Sequence, residues 1–197
     1  LKMRNLRAPL YFLLVLFFLA GCAPSEPTVV QDKNGEFEMT LPPGWSLNTK
    51  NELHDEAQLQ ASNPFLEKYV IVLTENKKDL VELDIADRAA FSELTRSAFK
   101  DLKLDGPREL EIGGHPATQY TMRGKVDGYD VVYLHTVQET PDQYRQIMTW
   151  TMESKFDSYQ AEMQKLIKSI RDLKTPQAAD GSTPAAETPA PAQTPTK

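Results

Sequence analysis

The sequence predicts an α+β domain: a largely antiparallel β-sheet with helices on each side. Three observations carry this. Glu36-Phe37-Glu38-Met39-Thr40-Leu41 alternates without a break, the period of a strand with one buried face. Two stretches, 86–102 and 154–173, repeat apolar residues at helical spacing. Between them, Asp127-Gly128 and Thr140-Pro141-Asp142-Gln143 are turn signals that fold long apolar runs into hairpins.

The elements follow in order. The first strand is stopped by Pro42-Pro43-Gly44, and Trp45 then lays its ring on the edge of the core. Tyr69-Val70-Ile71-Val72-Leu73 is a continuous apolar run, hence a strand covered on both faces. In the first helix Phe91, Leu94, Ala98 and Leu102 share a side, with Asp84 or Asp87 placed to cap its start. The second helix has Ser154 and Asp157 at N-cap spacing, then a stripe of Phe156, Tyr159, Met163, Leu166, Ile167, Ile170 and Leu173. If the two turns set the register between the helices, one sheet face collects Tyr120, Met122, Tyr133, His135, Val137, Met148, Trp150 and Met152. The other face carries Val132, Leu134 and Ile147.

The chain has 197 residues and a single cysteine, Cys22. Lys2, Arg4 and Arg7 precede an apolar run over residues 10–20, the layout of a secretion signal. Leu1 reads as a non-standard start, with Met3 the alternative. As a helix the run reaches roughly 16 Å, against a hydrocarbon core of about 30 Å, so it is too short to span a membrane comfortably. It ends Leu19-Ala20-Gly21-Cys22, which resembles the bacterial lipoprotein signal. That resemblance implies cleavage between Gly21 and Cys22, diacylglycerol on the Cys22 sulfur and a fatty acyl chain, such as palmitate, on the new amino terminus. Small residues let a peptidase approach the backbone, and the thiolate is the strong nucleophile available to take the lipid. With Cys22 used in this way, no thiol remains for a disulfide.

The chain therefore divides into a signal peptide over 1–21, a tether over 22–34, a single domain over 35–174 and a tail over 175–197. The tail is mostly Pro, Ala and Thr with no large apolar residue, so it is expected to be disordered. Stretched as polyproline II it would reach roughly 70 Å. Lys and Arg number 22 against 28 Asp and Glu, a net charge of −6, with no basic stripe. Nucleic acid is not an expected partner. Attraction to anionic lipid is not expected either, which leaves membrane attachment to the lipid on Cys22.

"FEMTLPPGW" (37–45) resembles the opening of the PsbP/Mog1-like superfamily, which includes the DcrB-like bacterial lipoproteins. Gly113-Gly114-His115-Pro116-Ala117 and Lys168-Ser169-Ile170 stand where that superfamily has a turn into paired strands and a closing helix. The resemblance spans residues 35–173. It implies an α/β/α sandwich and a mainly non-enzymatic role, assisting assembly or binding protein partners. It transfers no catalytic residue, because the shared motifs are turns and core positions.

Searched for chemistry, the residues offer little. His54-Asp55-Glu56 are consecutive, so their side chains converge poorly on a metal and a solvated loop is the expectation. His115 is expected in a turn, exposed and structural. His135 is expected in the core, opposite Tyr120 and near Met148. No metal-ligand spacing, phosphate-cradling glycine loop or Gly-x-Ser-x-Gly elbow occurs. No catalytic residue, metal or cofactor is expected. Tyr120, Tyr133, His135, Met148 and Trp150 are the candidate lining of an apolar ligand pocket, set against a plain core reading of the same face. The expected function is that of an exported, lipid-anchored cell-envelope protein, facing the periplasm or the extracytoplasmic side, that binds or helps assemble another envelope protein. In a Gram-negative cell Ala23 favours the outer membrane. The alternative is an extracytoplasmic small-ligand or lipid-binding module with a true cavity.

Overall fold

The computed structural model describes residues 26–97, 99 and 101–173. The expected signal peptide over 1–21, Cys22 and the expected tail over 175–197 lie outside them. The strands are β1 (Thr28–Gln31), β2 (Phe37–Leu41), β3 (Ser46–Leu47), β4 (Leu59–Asn63), β5 (Lys68–Asn76), β6 (Lys103–Ile112), β7 (His115–Val126), β8 (Tyr129–Glu139), β9 (Gln143–Met152) and β10 (Arg171–Asp172). The helices are α1 (Lys77–Leu80), α2 (Arg88–Ser97) and α3 (Glu153–Lys168). Seven strands form one antiparallel sheet in the order β3-β4-β5-β9-β8-β7-β6, and β1-β2-β10 form a small second sheet.

The expected register holds. Asp127 and Gly128, both at positive φ, close the β7–β8 hairpin in two residues, with Val126 opposite Tyr129. The Thr140–Gln143 turn closes β8–β9, its ends joined through Thr140 and Gln143 backbone groups. Tyr120 consequently stands opposite His135, His135 opposite Met148 and Tyr133 opposite Trp150. Val132, Leu134 and Ile147 point to the other face.

That other face holds the main core. Phe37, Met39 and Leu41 of β2 alternate inward, as their spacing predicts, and meet Val70, Val72, Val132, Leu134 and Ile147 of the large sheet. Helix α3 closes this layer with Phe156, Met163, Leu166 and Ile167, all buried. Each such side chain contributes about 1.5–3 kcal/mol on leaving water. Helices α1 and α2 cover part of the opposite face, where Phe91 stacks on Tyr144 at 5.0 Å beside Leu80 and Val137. Phe99 and Leu102 continue the cover. The layers are thus helix and small sheet, large sheet, helix.

Several boundaries differ from expectation. The tether ends sooner, because Thr28–Gln31 pair with β2 and Asp32 folds the hairpin between them. Its carboxylate accepts from the amides of Asn34, Glu36 and Phe37. Helix α2 runs from Arg88 to Ser97 rather than over 86–102, and Ala98 lies outside the described residues. Asp87 caps it by accepting from the Ala90 amide at 2.8 Å, while Asp84, at φ 58°, ends the preceding turn. Ser154 and Asp157 cap nothing: strand β9 passes directly into α3, so Met152 takes the N-cap position with no side-chain bond. The stripe ends at Ile167, and Ile170 and Leu173 follow the helix instead of lying on it. Strand β6 has no counterpart in the sequence reading. It is an almost wholly exposed edge with a register shift between Asp105 and Arg108, a device that blunts an open sheet edge.

Candidate functional site

The side of the large sheet away from α3 carries the chain's most distinctive surface. Adjacent strands put the rings of Tyr133, Trp150 and Tyr69 in a row, and Phe99, in the segment after α2, extends it. Trp150 stacks on Tyr69 at 5.2 Å with planes 17° apart, and lies 6.0 Å from Tyr133, which is 5.6 Å from Phe99. The register produces this, since Trp150 is opposite Tyr69 on one flank and Tyr133 on the other. Beside the row opens a cleft of about 340 Å³, lined among others by Tyr69, Tyr129, Val131, Tyr133, Trp150 and Met152, with Glu67 and Asp127 on its rim. Past Val126 and Asp127 a broader groove follows, with Lys103, Arg123, Lys125 and Glu153 among its walls. Burial pushes the Tyr133 phenol up from its ordinary pKa, so it stays a neutral hydroxyl.

The five residues singled out in the sequence fall into two groups. Tyr133 and Trp150 line the cleft. Tyr120, His135 and Met148 share the sheet face but lie outside the cleft lining. The Arg96 guanidinium sits 3.8 Å above the Tyr120 ring. His135 is fully buried. Thr95 Oγ1 donates to the Phe91 carbonyl and lies 3.0 Å from His135 Nε2, so the tautomer with hydrogen on Nε2 satisfies both groups. Nδ1 then keeps a buried lone pair without a partner. Burial, and then the charge of Arg96, push its pKa from 6.5 down to about 4. A neutral imidazole with one nitrogen on a helix threonine joins α2 to the sheet.

The other histidines are on loops or strand ends. His54 accepts from the Glu56 amide at Nδ1, and Asp55 and Glu56 are exposed. His115 begins β7 and lies 2.8 Å from Asp172 through Nε2. Arg145, buried, also donates to Asp172 and stacks on Phe37, so this cluster pins β10 to the large sheet. Among the described residues no group of three or more His, Cys, Asp and Glu is placed to hold a metal. A second buried cation, Lys68, reaches Glu162 at 2.6 Å under the rings of Trp45 and Tyr159, and Trp45 Nε1 donates to the same carboxylate oxygen.

Sequence reasoning missed Tyr69, Phe99 and Tyr129 as parts of the aromatic surface. Tyr69 was legible as a strand residue, but its place beside Trp150 depends on β5 pairing with β9, which no local turn signals. Phe65, almost fully exposed on the β4–β5 turn, was also missed. The available sign was the Asn63-Pro64 turn dipeptide followed at once by Phe65.

No protein-family model and no curated protein matches this chain. Solved structures do. CyanoP, the cyanobacterial PsbP of Synechocystis sp. PCC 6803, superposes with a TM-score of 0.55 at 12% identity, over 79% of this chain and 99% of its own. LpqN, described as involved in cell envelope biogenesis of Mycobacterium tuberculosis, superposes with a TM-score of 0.54 at 11% identity, over 74% of this chain and 90% of its own. A protein from Bacteroides thetaiotaomicron superposes with a TM-score of 0.50 at 11% identity, over 77% of this chain and 50% of its own. No helix among the described residues is long and apolar enough to cross a membrane. At these identities the likeness is one of architecture, and the chain has the PsbP-like fold.

Proposed function

We propose that this chain is a lipid-anchored cell-envelope protein whose PsbP-like domain binds or helps assemble another envelope protein, without catalysis. The observation that carries the reading is the short path from Cys22 to the fold. Only residues 23–27 separate Cys22 from Thr28 at the head of β1. The six steps from Cys22 to Thr28, at ~3.3 Å each, reach roughly 20 Å, so a lipid on Cys22 would hold the domain against the membrane surface. Anchoring confines the domain to a thin layer and raises its effective concentration near membrane-bound partners. The PsbP-like fold, shared with LpqN, supports a place in the envelope. His135, the histidine among the candidate pocket residues, lies outside the cleft lining with its Nε2 engaged by Thr95, so it is not placed to act on a molecule in the cleft.

The test is in-cell crosslinking of the full-length protein, with Cys22→Ser as control. One dominant envelope partner, lost with the anchor, is the expected result. An abundant, folded protein that crosslinks to nothing contradicts partner binding. The aromatic cleft favours a second reading, a small-ligand or lipid-binding module. Native mass spectrometry showing a molecule retained through purification, and released by Trp150→Ala, would favour it over the first.

A further inference from the structure

We propose that the end of the sandwich carrying Phe65, Leu66, Val126 and Tyr129 is a membrane-contact face, whose occupant is the interfacial layer of a phospholipid bilayer. This rests on the lipid-anchor reading above and gives the anchored domain an orientation.

The argument begins with which ends meet. Phe65 and Leu66 occupy the β4–β5 turn, and Val126 and Tyr129 flank the β7–β8 turn. Because β5 pairs with β9 and β9 with β8, the start of β5, the end of β9 and the start of β8 all lie at one end of the sheet. Phe65 is 97% exposed, Tyr129 63%, Val126 41% and Leu66 39%. The aromatic cleft opens between these two turns.

The N-terminal side of the domain comes to the same place. Thr28 stands opposite Leu41, and Leu41 leads within a few residues to Gly44. Gly44 abuts β4 so closely that a Cβ there would lie 3.1 Å from the Asn63 side chain. Asn63 is the N-cap of the turn that holds Phe65, accepting from the Leu66 amide. The chain thus leads back towards Cys22 from beside the exposed apolar turn. The C-terminal side lies at the opposite end, where Leu173 bonds to Glu36 and Asp172 meets Arg145 and His115. A second exposed apolar pair, Val81 and Leu83, follows α1, whose first amide bonds to Asp142 at that far end. It has no such relation to the anchor.

The chemistry of the face suits a zwitterionic interface. Its carboxylates are partly neutralised in place, Glu67 by Lys155 at 2.6 Å and Asp130 by Lys125 at 2.6 Å. Phenylalanine and tyrosine at a lipid–water boundary put rings among the acyl chains and hydroxyls among the headgroups. The chain as a whole is acidic, which gives it no general attraction to anionic lipid, so the exposed apolar side chains are the contact this face offers.

The test uses the chain from Cys22 onwards, which keeps every described residue. Its single cysteine is coupled to a maleimide lipid in phosphatidylcholine vesicles, so anchoring does not depend on what the cell does to it. Phe65→Trp and Val81→Trp are compared, each as the difference from the parent chain, since both sites are exposed and neither belongs to the core. The expected result is a blue-shifted Phe65→Trp emission, quenched by brominated phosphatidylcholine at least twofold more than Val81→Trp. Equal quenching, or emission at the water-exposed wavelength, overturns the proposal. Shielding of Phe65→Trp that rises with protein concentration without lipid assigns the face to a second copy and also overturns it. A free Cys22 thiol in cells would refute the anchor while leaving the quenching result to stand by itself.

Discussion

Lowering the pH tests the interior of the domain through His135. Its pKa is about 4 in the folded protein against 6.5 for a free imidazole. Between these values the unfolded chain binds a proton that the folded chain refuses. Stability is therefore intact above about pH 6.5 and is lost as pH falls towards 4. The full shift corresponds to about 3 kcal/mol, a sizeable part of a small domain's stability. The Glu75 carboxyl, pushed up by burial and then by Glu56 and Asp79, acts in the opposite sense, so the wild-type curve alone does not isolate the histidine. The assay is urea denaturation at pH 7 and pH 4.5 for wild type and His135→Gln. The glutamine cannot titrate, and its amide is placed to donate to Thr95 as Nε2 does. The wild type should lose about 2 kcal/mol more than the variant over that interval. Equal losses would refute the neutral, helix-bound imidazole described above.

Other perturbations should behave as follows in denaturation experiments. Glu162→Ala strands the buried Lys68 ammonium and should destabilise by about 2 kcal/mol, below the fully buried case because Glu162 is one-third exposed, and adding Lys68→Met should restore most of it. Gly113→Ala forces a side chain onto φ +56° with its Cβ 3.0 Å from the Ile170 carbonyl, so a loss of about 1–2 kcal/mol is expected. Asp87→Ala removes the cap of α2 and should lose about 1 kcal/mol, whereas Asp157→Ala, within α3, should change stability by less than about half of that.

The legible parts of the fold were those with a local signal. Asp127-Gly128 and the Thr140–Gln143 turn determine the facing of every residue in β7, β8 and β9, and Tyr120, His135 and Met148 fall together accordingly. The alternation of β2 survives because one face meets α3 and the other stays half-exposed. Strand β6 was illegible because an edge strand exposed on both faces has no reason to alternate. Strand β1 is short and follows prolines, so its pairing with β2 shows only once Asp32 has turned the chain. The cap of α3 was misread because Ser154 and Asp157 have the right chemistry, while the strand-to-helix junction leaves no loop for them to cap. The candidate site was half legible. Tyr133 and Trp150 do line a cleft, but Tyr69 reaches it through the pairing of β5 with β9, a contact no short stretch encodes, and Tyr129 flanks the β7–β8 turn.

The central claim is that Cys22 carries the lipid that holds this domain at the membrane. Mass spectrometry of the N-terminal peptide, taken from the membrane fraction of cells making the full chain, tests it most directly. The account predicts a chain that begins at Cys22 with diacylglycerol on its sulfur. A peptide that still carries residues 1–21, or one with a free Cys22 thiol, would contradict it.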